Sequence, residues 1–92
     1  MKNIVLNENE YELIQKNKEV FDSEIVKEKC TDYFAEFDYI FGDYAYDKLR
    51  LKGFYDETND NVKDINNIKY LNQYIENYCA YNCGYFLLKK IK

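Results

Sequence analysis

An α+β fold, two helices packed on a mostly antiparallel sheet in the order ββαββαβ, is what this sequence predicts. Three observations carry it. Short runs of alternating apolar and polar residues recur between polar turn-forming stretches, two further stretches space their apolar residues at helical intervals, and neither an internal repeat nor a Pro/Gly/Ser-rich linker divides the chain. The 92 residues fit one small domain, residues 1–92.

The first stretch, NIVLNENEYELIQK, reads as two short strands around a polar turn from Asn7 to Glu10, with Tyr11, Leu13 and Gln15 alternating against Glu12, Ile14 and Lys16. Asp22 and Ser23 offer an N-cap to a helix whose apolar face is Val26, Cys30, Tyr33, Phe34 and Phe37, ending near Phe37. Tyr39 to Tyr46 is aromatic and extended, Asp47 and Lys48 form the turn, and Leu49 to Tyr55 alternates apolar with basic residues, which gives a second hairpin. DETNDN is a polar loop, and VKDINNI fits strand and coil equally. Ile68, Leu71, Ile75, Tyr78 and Cys79 recur at helical spacing, so a second helix runs from about Asn67 to Ala80. Asn82 and Gly84 supply a helix stop, and Tyr85 to Ile91 is a final strand.

Composition narrows the class of function. The hydrophobic share of 47% is carried largely by 11 Tyr and 6 Phe, which argues for a packed core. Twelve lysines against one arginine, with no Pro or Trp, is what AT-rich codons produce. The net charge of −4 repels nucleic acid at long range, and the charge is uneven. Residues 31 to 60 hold three basic against eight acidic side chains, while residues 61 to 92 hold five lysines against two acids. No apolar run resembles a signal peptide or a membrane span, so a cytoplasmic protein is expected, its three cysteines as reduced thiols.

The phrase YIFGDYAYDKLRLKGFYD, followed by LNQYIENYCAYNCGYFLLKK, resembles the YutD-like family of small proteins from low-GC Gram-positive bacteria. The matching positions are Tyr39, Ile40, Gly42, Asp43 and Tyr44, then Leu49 to Phe54, then Tyr78, Cys79, Cys83, Tyr85 and Phe86. The chain departs from that pattern in two ways: Tyr44 stands where a Trp is expected, and Asp47-Lys48 replaces a more glycine-like turn. The resemblance implies a small α+β fold and leaves activity open.

The residue inventory excludes much chemistry. With no His, neither Ser-His-Asp nor Cys-His catalysis can be built from this chain, and Ser23 is the one serine. Gly42, Gly53 and Gly84 make neither of the glycine-rich phosphate loops. Cys79 and Cys83, even with Cys30 as a third ligand, fall short of the four a structural zinc site wants, so they read as small apolar side chains. Asp43 and Asp47 could share a strand face, but no cleft is evident around them for acid–base work. No catalytic residue, metal or cofactor is expected.

The second hairpin is the candidate surface. Alternation puts Leu49, Leu51, Gly53 and Tyr55 on one face and Arg50, Lys52 and Phe54 on the other, the second set facing outward. Gly42 inside a strand marks a bulge or a close approach to the backbone. Three uses compete: a protein-binding patch of Asp43, Tyr44, Arg50, Lys52 and Phe54 anchored by Arg50; single-stranded nucleic acid or RNA held by the same rings and cations; and a purely structural role in which Arg50 pairs with Asp43 across the hairpin. Within KGFY, Lys52, Gly53 and Phe54 match the first three positions of the RNA-recognition-motif strand, but Tyr55 and Asp56 break the match. The expected function is a small non-enzymatic binding or regulatory module with an unidentified protein partner. A further class is an acidic inhibitor that offers the carboxylates between Asp32 and Asp60 to a nucleic-acid-binding protein.

Overall fold

A computed structural model describes residues 3–6, 8–17, 21–45, 48–78 and 84–91. Five strands, β1 (Asn3–Leu6), β2 (Asn9–Asn17), β3 (Tyr39–Ala45), β4 (Lys48–Phe54) and β5 (Tyr85–Lys90), and two helices, α1 (Ser23–Lys29) and α2 (Leu71–Tyr78), follow the predicted ββαββαβ order. The strands form one sheet in the order β1-β2-β5-β3-β4, and every neighbouring pair is antiparallel.

Both faces of this sheet carry apolar side chains, and that decides where the helices go. Ile40, Phe86, Leu88 and Leu49 face one way, joined by Ile4, Leu6, Tyr11 and Leu13, and α1 closes them with Val26 and Cys30. Phe41, Phe54 and Leu87 face the other way, closed by Leu71 with Ile68, Tyr74 and Ile75 packed around it. A strand with apolar residues at both odd and even positions is buried on both sides. The helices therefore cover opposite faces of the sheet.

The first hairpin is tighter than expected. Leu6 pairs with Asn9, so Asn9 and Glu10 are strand residues and Glu8 lies in the link with φ of 70°, the left-handed geometry that two-residue hairpin links require. In β2 the register against β5 shifts between Leu13 and Gln15. That shift ends the uniform alternation: Tyr11 and Leu13 belong to the first core, whereas Ile14 packs against the second.

Asp22 caps α1, its carboxylate accepting from the Glu24 and Ile25 amides at 3.0 and 3.4 Å. The helix expected to reach Phe37 stops at Lys29, because Cys30 is extended, with φ −83° and ψ 102°, and a 3₁₀ turn follows over Asp32–Glu36. Thr31 and Asp32, which favour local non-helical hydrogen bonding, stand at the break. The break sets Phe37 flat over Gly53, where a Cβ would come within 2.2 Å of the ring, and leaves Tyr33 65% exposed.

In the second hairpin Lys48 pairs with Ala45, so it is a strand residue and not part of the turn; Asp47 lies outside the described residues. The undecided VKDINNI stretch is mostly 3₁₀, over Asp64–Asn66 and Ile68–Tyr70, with Asn67 bridging to Tyr55 in parallel sense. α2 accordingly begins at Leu71 and not at Asn67. Cys79, Cys83 and the stop expected at Asn82 lie outside the described residues, while the Gly84 carbonyl accepts from the Tyr44 amide at 3.0 Å. No helix among the described residues is long and apolar enough to cross a membrane.

Burial in the first core pushes the Tyr11 phenol up to about 12, with Cys30 adding to the effect. A raised folded-state value favours the neutral phenol, so this stability is intact below about pH 10 and is lost as pH climbs towards 12. The loss at pH 12 is expected to be about 2 kcal/mol. Urea titrations of the parent and Tyr11→Phe at pH 8 and pH 11.5 check it: the phenylalanine variant keeps the stability the parent loses.

Candidate functional site

β3 and β4 place Asp43 directly opposite Arg50. The guanidinium Nε donates to Asp43 Oδ1 at 3.1 Å and a terminal nitrogen donates to Oδ2 at 2.5 Å, a two-point contact that fixes the plane of the arginine head. Asp43 is 2% exposed, while the Arg50 side chain stays half exposed. The cross-hairpin pairing read from the sequence is therefore present, and its buried carboxylate holds a cation that still reaches solvent.

Lys52 follows on the same side of β4. Its ammonium sits 5.3 Å from the centre of the Phe54 ring and 5.5 Å from that of Tyr74, so two aromatic faces orient a second cation. Phe54 itself is 1% exposed, which corrects the expectation that it faces outward. α2 covers that end of the face, and Phe54 packs edge-on to Phe41 and Tyr74 at 6.4 and 5.6 Å. Tyr44 is apart from the group. It points to the other face and packs against the first core, where burial and the Asp22 carboxylate push its phenol up. Of the five residues singled out by sequence, Asp43, Arg50, Lys52 and Phe54 come together and Tyr44 does not.

The geometry adds residues the sequence did not single out. A groove of about 650 Å³ runs beside β4, lined by Lys52 and Phe54, by Asp64 and Ile65 of the 3₁₀ turn, and by Tyr70 and Tyr74. A smaller hollow of about 200 Å³ lies on the opposite side of the same strand, with Tyr33, Phe37, Leu51 and Gly53 in its wall, and Lys52 and Ile65 border both. Ile65 is 76% exposed. Its one signal in the sequence is its position as a lone apolar residue in KDINN. A third groove, about 460 Å³, has a mixed polar lining that includes Asp38, Asp56 and Lys89. Asp38 is occupied there, accepting from the Asp56 amide and the Asn59 side chain at 2.8 and 3.0 Å.

Around β4 the described residues bring together two oriented cations, exposed apolar side chains and a sheet edge. Comparisons with known proteins agree with the fold and the motif. A family model described as "Putative antitoxin YutD-like" matches residues 5–89. The chain is 39% identical over 89 residues to "Putative antitoxin YutD" of Bacillus subtilis (strain 168), covering 97% of this chain and 98% of that one. It superimposes on the solution NMR structure of protein yutD from B. subtilis with a TM-score of 0.82 at 38% identity, covering 100% of this chain and 84% of the other. A motif legible in the second hairpin and the last strand, an antiparallel sheet with two helices, and these matches together establish that the chain belongs to the YutD-like family.

Proposed function

We propose that this protein is a binding module of the antitoxin type, which counteracts a protein partner by docking it on the β3–β4 hairpin, with Arg50 and Lys52 as its charged contacts. The observation that supports this reading most is the Asp43–Arg50 pair. A guanidinium held at two points by a buried carboxylate, yet half exposed, is a cation already ordered for an interface, so little side-chain entropy is lost on binding. Arginine is also among the residues that most often dominate interface energies. The antitoxin name of the B. subtilis relative supports a protein partner. Base stacking on this hairpin has less support, since Phe54 is buried beneath Lys52 and Tyr74.

The test begins with tagged capture from the producing organism, with and without nuclease, and then measures direct binding of the purified captured protein. Asp43→Asn with Arg50→Gln, which keeps a neutral hydrogen-bonding pair in place, is the folded comparison. Lys52→Glu is expected to weaken the purified complex at least tenfold, as charge reversal at a contact does. A nuclease-sensitive capture would move the reading to RNA, and a complex indifferent to both changes would remove the hairpin from the interface.

A further inference from the structure

β4 is an outer strand, and the hydrogen bonds around it reveal which of its backbone groups look outward. The Tyr55 amide donates to the Asn66 carbonyl at 2.7 Å, and the Tyr55 carbonyl accepts from the Ile68 amide at 3.0 Å. Tyr55 therefore points away from β3. Backbone direction alternates along a strand, and β4 runs without a register shift, so Leu49, Leu51 and Gly53 point the same way as Tyr55. The other side agrees: the Tyr44 amide reaches Gly84 next to β5, which leaves Asp43 and its odd-numbered neighbours to bond Arg50 and its even-numbered ones. Among the described residues no strand lies beyond β4. Among the described residues no backbone group bonds this side of Gly53, Leu51 and Leu49, so the lane that Asn66 to Ile68 fills beside Tyr55 runs on past them without a strand, although Gly53 and Leu49 are themselves buried by the side chains packed on their face.

The side chains flanking this lane differ on its two faces. Lys48, Arg50 and Lys52 border one, with the larger groove beside Lys52. Leu49, Leu51 and Gly53 border the other, where the smaller hollow opens between Tyr33 and Ile65. A second copy of this chain fits badly. Antiparallel pairing of β4 with itself about Leu51 would set Arg50 against Lys52 and Lys52 against Arg50, like charges directly opposed.

We propose that the partner adds an extended segment to the β4 edge as a further strand, with acidic side chains facing Lys48, Arg50 and Lys52 and apolar side chains facing Leu51 and the hollow between Tyr33 and Ile65. This rests on the reading of the hairpin as a protein-binding site and states its mode: main-chain bonds supply the attachment and alternating side chains the selectivity. An unprotected edge of this kind is otherwise a liability for aggregation, which cations along it reduce.

The probe is a capped peptide, Thr-Glu-Val-Glu-Val-Glu-Thr, with a lysine-for-glutamate version as control. At saturation the acidic peptide is expected to slow amide exchange at Leu49, Leu51 and Gly53 at least tenfold and to leave Arg50 and Lys52 little changed. The lysine version should do neither, and raising salt to 0.5 M should weaken the acidic one. Leu51→Pro removes one outward donor without touching the β3 ladder, a place where an edge strand tolerates proline. It should lose the peptide while Leu51→Ala keeps it. Should Leu51→Pro not fold, methylating alternate peptide nitrogens tests the same bonds from the other side. Unchanged exchange at the three amides, equal binding of the lysine peptide, or full binding by the N-methylated peptides or by folded Leu51→Pro would each overturn the proposal. The two readings also separate. A natural partner retained by Leu51→Pro but lost with Asp43→Asn/Arg50→Gln keeps the hairpin and rejects strand addition, and peptide capture without any natural partner does the reverse.

Discussion

Gly42→Ala is expected to destabilise the protein by about 3 kcal/mol, at the upper end of what overpacking a core usually costs. The Phe86 ring lies across Gly42, and an added Cβ would stand 2.2, 2.6 and 2.8 Å from three of its carbons. Phe86 is fully buried at the centre of the first core and also meets Phe21 edge-on at 5.1 Å, so it has no room to yield. Replacing a strand glycine ordinarily gains some 0.5 to 1 kcal/mol, and here that gain is overwhelmed. Urea denaturation gives the cost directly. In a Phe86→Leu background the same change should cost at least 1 kcal/mol less, the coupling expected of two residues in contact. Equal costs in both backgrounds would mean that the ring is not what excludes the side chain.

Arg50→Ala is expected to cost about 2 to 3 kcal/mol. Removing one member of a fully buried ion pair costs roughly 3 to 5 kcal/mol because the other charge is left without a partner. Asp43 is that buried charge, but Arg50 is half exposed, so water entering the vacated space offsets part of the loss. The same arginine change in an Asp43→Leu background should cost under about 1 kcal/mol, since no carboxylate remains to be stranded. This also bears on function. A binding defect in Arg50→Ala alone mixes lost contact with lost fold, and the neutral Asn/Gln pair separates the two.

Much of this was legible in the sequence, for reasons that belong to particular residues. Asp22 announced α1 because a carboxylate before a helical run has one favourable use there. Asp43 with Arg50 was readable as a carboxylate and the one arginine on facing strands of a hairpin, although a turn at Asp47 and Lys48 would have set Asp43 opposite Lys52; the pairing of Lys48 with Ala45 is what brings it opposite Arg50. The alternation in β4 was also correct in parity. What it could not convey was that Phe54 lies inward, because a period of two divides a strand into faces without saying which face a distant helix will cover. Phe41 and Phe54, apolar at positions of the second face, were the trace of that cover. The break after Lys29 was hidden by a helical spacing that Val26, Cys30, Phe34 and Phe37 satisfy almost equally well as a helix followed by a 3₁₀ turn. Ile65 became part of the candidate site through tertiary packing of a stretch whose local pattern was ambiguous, and Tyr74 through the docking of α2, whose helical spacing was read without it.

The strand order carries a consequence for how the molecule comes into being. β2 and β3 belong to different hairpins and are joined in the sheet through β5, which lies between them yet comes last in sequence among the five described strands. During synthesis both hairpins leave the ribosome before the strand that joins them exists. Until residues 85–90 emerge, the inner edges of both hairpins lack the ladder that completes the sheet, the first core lacks Phe86 and Leu88, and the second lacks Leu87. The decisive pairings span long stretches of sequence, so the sheet is completed only once β5 is available and its two halves cannot be finished one at a time.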